Sequence, residues 1–242
     1  MKQLDQNRIA ARLALPSVRV ETYETVASTN DVCRRALSEG AEACLAVTAE
    51  QTGGRGRQGR AFFSPPGGLY MSVAMPASAD ELGLTCRAAV AVSDAIASVT
   101  GISCGVKWVN DLYDKGKKVC GILAEHTGTH AIVGVGVNLI PSPLPAELEE
   151  KVGFLDCGDV REDLAAEIAR ALLSRDPSDR GFMDVYRRRS VVLGRELVCT
   201  VGERSFSAVA LRIGDDGALT VLGPDGLETL RWGEVTIRGK FT

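Results

Sequence analysis

Gly54-Arg55-Gly56-Arg57-Gln58-Gly59 satisfies the G-x-G-x-x-G pattern of a dinucleotide-binding turn and follows a strand-like run, so its context decides between a Rossmann fold and another α/β architecture. A Rossmann fingerprint opens a helix whose first amides hold a pyrophosphate. Here Phe62-Phe63-Ser64-Pro65-Pro66-Gly67-Gly68 follows, and no helix starts. A Walker A loop fails as well, because Gly59 precedes Arg60-Ala61 instead of Lys and Ser or Thr. Residues 51–68 therefore read as one glycine-rich loop carrying Arg55, Arg57 and Arg60. Guanidinium groups with little bulk between them bring charge and backbone N–H against an anion, a phosphate or a carboxylate. The bland reading of the same segment is a solvated basic loop.

Before this loop, Ala43-Cys44-Leu45-Ala46-Val47-Thr48-Ala49 is a continuous run of small apolar residues, the pattern of a strand covered on both faces. Residues 17–24 read as another strand. Ser28-Thr29-Asn30-Asp31 then supply helix-capping side chains ahead of Val32, Cys33, Ala36 and Leu37, with Gly40 as the stop. A short amphipathic helix over 4–13 ends before Pro16. After the loop, strands are expected over 69–75, 104–108 and 130–139. A hairpin over 111–125 turns at Asp114-Lys115-Gly116-Lys117, and a helix over 81–99 carries Ala89, Val92, Ile96 and Val99 on one face. Leu164, Ile168 and Leu172 mark a later helix, and 182–189 the end of another.

From Val191 the texture changes to short strands over 196–201, 205–213, 219–222, 227–230 and 235–238. Gly202-Glu203, Asp216-Gly217 and Asp225-Gly226 read as two-residue hairpin turns between them. The prediction is an α/β (α+β) protein in two parts: a mixed sheet with helices over 1–190 and a small β-barrel over 191–242.

Composition narrows the function. With 28 Lys+Arg against 31 Asp+Glu, a net charge of −3 and 45% hydrophobic residues, the chain is neither disordered nor fibrous, and its surface is not built for a nucleic-acid backbone. No apolar run approaches the ~20 residues of a membrane span, and Met1-Lys2-Gln3-Leu4-Asp5-Gln6 lacks a signal-peptide core, so a cytoplasmic protein is expected. Seven cysteines, scattered without a Cys-x-x-Cys pair, read as reduced core residues. His126 and His130 have the spacing of a helical metal pair, but Thr127-Gly128-Thr129 between them reads as a hairpin turn.

Val106-Lys107-Trp108-Val109-Asn110-Asp111 places a lysine in an apolar strand, where an unpaired ammonium costs several kcal/mol, roughly; either a carboxylate side chain or an anionic ligand must meet it. Gly121, Gly134 and Gly136 interrupt otherwise buried strands, as glycines do where a flat ligand approaches the backbone.

Five motifs in order resemble the biotin protein ligases: Ser28-Thr29-Asn30, Gln51-Thr52-Gly53-Gly54-Arg55-Gly56-Arg57-Gln58-Gly59-Arg60, Lys107-Trp108-x-Asn110-Asp111, Lys118-x-x-Gly121-Ile122-Leu123 and Gly134-x-Gly136-x-Asn138. The similarity runs from about residue 20 to the C-terminus. It implies an α/β domain like that of class II aminoacyl-tRNA synthetases, followed by an SH3-like barrel. Val109 stands where the family commonly has Pro, and is expected to keep the backbone extended. Phe62 or Phe63 takes the place of an aromatic residue that is often Trp. The chain before residue 20 is too short for the winged helix that makes some members DNA-binding repressors, so no DNA partner is expected.

The resemblance implies ATP-dependent activation of biotin to biotinyl-5′-AMP and transfer to a lysine of a biotin carboxyl carrier protein. Lys107 and Arg57 are then the catalytic cations bridging carboxylate and phosphate. Biotin falls to Ser28, Thr29, Asn30, Gln51, Gly54, Arg55, Arg57, Lys107, Gly121 and Gly136, and the nucleotide to Arg55, Arg57, Arg60, Phe62, Asn110, Lys118 and Asn138. Mg2+ is expected with ATP, its protein ligands unassigned beyond a guess at Asp111. A lipoate-type ligase with a longer apolar tunnel and a non-enzymatic RNA-binding module are the alternatives. Oligomeric state stays open.

Overall fold

Strands β1 (Arg19–Val26) and β2 (Cys44–Gln51) run parallel, and a parallel pair needs a crossover, which helix α2 (Thr29–Ser38) supplies. This computed structural model describes residues 3–76, 81–174 and 181–238. The remaining strands of the large sheet, β3 (Leu69–Pro76), β4 (Gly105–Lys107), β5 (Asp111–Asp114), β6 (Lys117–Thr127) and β7 (His130–Val137), pair antiparallel in the order β1-β2-β3-β7-β6-β5-β4. The mixed sheet expected from the alternation of elements is present.

The apolar run at 43–49 shows why both faces are covered. Cys44 and Ala46 pack with Val32, Cys33 and Ala36 of α2, while Leu45 and Val47, one residue out of phase, enter the main core. Around that second face lie α1 (Gln6–Leu13), α3 (Glu81–Thr100), α4 (Arg161–Leu173) and α5 (Phe182–Arg189). Any stretch leading into α5 over 175–180 lies outside the described residues. β1 starts two residues later than expected, because Pro16 and Ser17 form a turn in which Val18 N–H donates to the Leu15 carbonyl at 3.1 Å.

The C-terminal strands β8 (Glu196–Val201), β9 (Arg204–Ile213), β10 (Leu219–Gly223), β11 (Gly226–Leu230) and β12 (Glu234–Ile237) form a second antiparallel sheet in the order β11-β10-β9-β8-β12. Gly202-Glu203 turns as expected. The other two turns need correction. Gly223 pairs Gly226, so the tight turn is Pro224-Asp225. The β9–β10 link spans 214–218, where Asp216 Oδ1 accepts from the Ala218 amide and Gly214 N–H donates to the Ala218 carbonyl. These local bonds, with a bulge at Thr220 and Val221, make it wider than a two-residue hairpin.

The sheets share one continuous core, in which Leu197, Cys199 and Leu219 join the residues packed on the large sheet. Trp108 Nε1 donates to the Gly217 carbonyl at 2.9 Å, and Val191 N–H to the Val106 carbonyl at 2.9 Å. Six of the seven cysteines are buried and Cys157 is partly so. His126 and His130 flank the β6–β7 turn, on strands rather than a helix. Among the described residues no helix is long and apolar enough to cross a membrane.

Candidate active site

One pocket opens over the middle of the large sheet, where β6 and β7 pair Gly121 directly with Gly136. The flat group lying on these glycines is the chain's own Phe62. A Cβ at Gly121 would stand 2.7 Å from the ring and one at Gly136 2.4 Å from it, inside any allowed contact. Lys118 Nζ lies 5.6 Å from the ring centroid and pairs with Asp111 at 2.7 Å. Gly134, the third glycine, admits the Asn30 amide, whose Oδ1 would lie 2.5 Å from a Cβ there.

The arginine loop is folded back on itself. Arg55 bridges Ala61, Gly56 N–H donates to the Arg60 carbonyl at 2.7 Å and Phe62 N–H to the Gly54 carbonyl at 2.9 Å. A single 3₁₀ turn over Arg57–Gly59 occupies its tip, with Gln58 and Gly59 at φ +57° and +71°. Its three guanidinium groups meet different partners. Arg55 pairs with Asp31 at 2.5 Å, and that contact holds the Asp31 carboxyl below its usual range. Arg60 reaches the second sheet and pairs with Glu234 at 2.7 Å, which depresses Glu234 likewise. Arg57 touches no carboxylate among the described residues; its side-chain bond is to Asn110 Oδ1 at 3.4 Å, and burial pushes its pKa down.

Lys107 shares that condition. Its Nζ lies 3.4 Å from the Tyr113 hydroxyl and 5.4 Å from the Tyr113 ring centroid, and forms no ion pair among the described residues. Burial lowers its pKa, only partly opposed by Asp111 and Glu234 at longer range. Of the two partners the sequence allowed for this lysine, no carboxylate side chain is in place. Two partly buried cations with no acid partner among the described residues therefore face one pocket, an arrangement that stabilises a bound anion.

The opposite wall is polar but neutral. Ser28, Thr29 and Asn30 are buried at the start of α2. Ser28 occupies the cap position yet makes no capping bond with its side chain, contrary to the capping role expected of it. Gln51 Oε1 accepts from Thr29 N–H at 2.9 Å, and Gln51 Nε2 donates to Ser64 Oγ at 3.1 Å.

Thirteen of the sequence-predicted residues line this one pocket: Ser28, Thr29, Asn30, Gln51, Arg55, Arg57, Arg60, Phe62, Lys107, Asn110, Lys118, Gly121 and Gly136. Gly54 and Asn138 do not line it. A Cβ on Gly54 would lie 2.5 Å from the Phe62 carbonyl, so this glycine lets the two arms of the loop close together. The Asn138 amide donates to the Lys118 and Gly153 carbonyls at 3.3 and 3.1 Å, clipping the start of β6 in place. Val109 is in the β4–β5 turn rather than extended, and the Trp108–Val109 peptide is cis. Glu234 was not anticipated: it comes from a strand edge far along the chain, and no motif surrounds it.

The profile of the biotin/lipoate A/B protein ligase family matches residues 23–138. A biotin–[acetyl-CoA-carboxylase] ligase of Mycobacterium tuberculosis is 30% identical over 221 residues, which are 83% of this chain and 82% of that protein. One from Paracoccus denitrificans is 29% identical over 80% of this chain and 90% of its own length. Among solved structures, the biotin protein ligase from Aquifex aeolicus in complex with biotin and ATP superposes with a TM-score of 0.77 at 26% identity, covering 92% of this chain and 99% of that one.

Proposed function

The chain belongs to the biotin/lipoate A/B protein ligase family, as a biotin protein ligase, and on that premise we propose how its pocket performs the reaction. The enzyme joins biotin to ATP as biotinyl-5′-AMP and passes the biotinyl group to a lysine of a biotin carboxyl carrier protein. A biotin carboxylate oxygen attacks the α-phosphorus, the bond to the β-phosphate oxygen breaks, and pyrophosphate leaves. The carrier amine then attacks the acyl carbon and AMP departs.

The first step brings a carboxylate against a polyanion, so the obstacle is electrostatic. The observation that carries this reading is the pair Lys107 and Arg57, partly buried cations that pair with no acid among the described residues and face one pocket. Lys107 and Arg57 bridge the carboxylate and the α-phosphate, each charge-assisted bond contributing about 1.5–3 kcal/mol. Arg55 and Arg60 exchange Asp31 and Glu234 for phosphate oxygens as the loop closes over the mixed anhydride and keeps water from it. Ser28, Thr29, Asn30 and Gln51 meet the ureido ring, a polar wall that an apolar-tailed acid such as lipoate has no groups to satisfy. Phe62 moves off Gly121 and Gly136 to cover the ligand that takes its place.

Mg2+, bound with ATP, would supply neutralisation of its phosphate charge. Asp111, whose Oδ1 is buried in the pocket wall beside Lys118, is the carboxylate that would hold it. The large sheet with its helices is the class II synthetase-like catalytic domain and 191–242 the SH3-like barrel; the sheet order and the antiparallel register of β8–β12 support both readings. The enzyme works in the cytoplasm, where ATP and carboxylase carriers meet.

Biotin-dependent release of pyrophosphate from Mg·ATP tests the proposal. Release with biotin and not with lipoate is expected; release with neither acid overturns it.

A further inference from the structure

Ser72 lies on β3, fully buried on the side facing α2, and does not border the pocket. Its hydroxyl nevertheless joins two residues that do: Thr29 Oγ1 at 2.7 Å and Asn30 Oδ1 at 2.5 Å. The direction of the protons in this chain of bonds follows from its far end. Asn30 Nδ2 is 2.5 Å from Glu125 Oε2, and an ionised carboxylate only accepts, so the amide turns its NH2 toward Glu125 and its carbonyl oxygen toward Ser72. That oxygen also only accepts, so it takes the single Ser72 proton. Ser72 can then only accept from Thr29, and the Thr29 proton is spent inside the protein.

A second anchor agrees. Ser64 Oγ donates to the Phe62 carbonyl at 2.9 Å and must accept from Gln51 Nε2, which turns Gln51 Oε1 toward Thr29. Oε1 already receives the Thr29 backbone N–H at 2.9 Å, and its 3.2 Å contact with the Thr29 hydroxyl is another place only for a proton leaving Thr29. Thr29 is left with lone pairs, and no proton, to offer the pocket.

We infer that Ser72 is a positioning residue which, with Glu125 behind Asn30, fixes the Thr29 hydroxyl as a pure acceptor and so makes a ring N–H a requirement of the acid substrate. The inference rests on the biotin ligase reading and adds to it the origin of the selectivity. A hydroxyl free to rotate meets a donor or an acceptor equally well; one whose proton is committed elsewhere rejects a ligand that brings an oxygen in place of N–H, because two lone pairs then face each other. Gly134 belongs to the same device, since any larger residue there would push into the Asn30 oxygen.

Isothermal titration of the full chain with biotin and with its two cyclic-carbamate isosteres, each replacing one ring N–H by oxygen, tests this. In the wild type, one isostere is expected to bind about tenfold or more weakly than biotin. In Ser72→Ala, and separately in Glu125→Ala, which lies outside the pocket lining and releases the Asn30 amide, that ratio falls by about threefold or more. General damage to the pocket weakens all ligands together and leaves the ratio where it was. A ratio within about twofold of wild type in both variants overturns the role of Ser72 while leaving the ligase reading intact. If the wild type binds neither biotin nor the isosteres, with or without Mg·ATP, the ligase reading itself fails, and this inference with it.

Discussion

Lys107 holds an ammonium where burial lowers its pKa and Asp111 and Glu234 oppose this only in part, so its charge costs the fold stability and favours a bound anion. Lys107→Met should therefore raise the melting temperature, by roughly 2–4 °C per kcal/mol recovered at this chain length, while abolishing adenylate formation. A drop in melting temperature with activity retained would contradict this. The pH dependence has a definite sign. The folded pKa lies below the ordinary lysine range, so the protonated form is lost, and kcat/KM for adenylation falls, as pH rises through that lowered value. Lys107→Arg keeps its charge, and its alkaline limb should move to higher pH. At the floor of the pocket, Gly136→Ala puts a methyl into the space the Phe62 ring fills at 2.4 Å and the ligand takes when the ring moves off, raising KM for biotin by about tenfold or more. Lys107 and Gly136 were legible in the sequence because each violates the composition of its strand. Ser72 was not, since a serine on a buried strand carries no pattern that distinguishes it from packing.

At the scale of elements, the arginine loop is tied at one end to α2 by Arg55 and Asp31 and at the other to β12 by Arg60 and Glu234. Both ties are partly exposed, so each is worth at most about 1 kcal/mol to the fold. Arg60→Ala should leave the melting temperature nearly unchanged yet speed tryptic cleavage of the loop, while bound biotinyl-5′-AMP slows it. Cleavage at an unchanged rate would mean that the tie to β12 does not hold the loop. Because Arg60 depresses the Glu234 carboxyl below the usual carboxylate range, the tie is intact above that range and is lost as pH falls through the lowered value. The loop's existence and charge were readable from its glycines and arginines. Its partners were not: hydrogen bonds across 174 positions, as between Arg60 and Glu234, leave no local trace. The turns of the second sheet failed for a related reason. Asp216-Gly217 signals a tight turn, but the bond that the Ala218 amide donates to Asp216 Oδ1 favours a wider one, while near Asp225-Gly226 the tight turn falls one residue earlier, at Pro224-Asp225.

Across the whole molecule, the change of texture at Val191 comes just before the first strand of the second sheet, since apolar periodicity reports local structure directly. It could not report that the two sheets share a core, with Leu197 and Leu219 packed into the cluster that holds Trp108. Calorimetry should accordingly find one cooperative transition for the full chain, and a chain ended at residue 190 should not fold; two separate transitions would show independent domains. Centrally, the partly buried Lys107 and Arg57, which pair with no acid among the described residues, receive the reacting carboxylate and phosphate. The most direct test is transfer of labelled biotin to an apo carrier domain with Mg·ATP, wild type against Lys107→Ala. The expected result is labelled carrier from the wild type and a loss of about 100-fold or more in the variant, with the carrier unlabelled when lipoate replaces biotin. Equal labelling by the two proteins would contradict the role given to Lys107, and no labelling by the wild type would contradict the reaction itself.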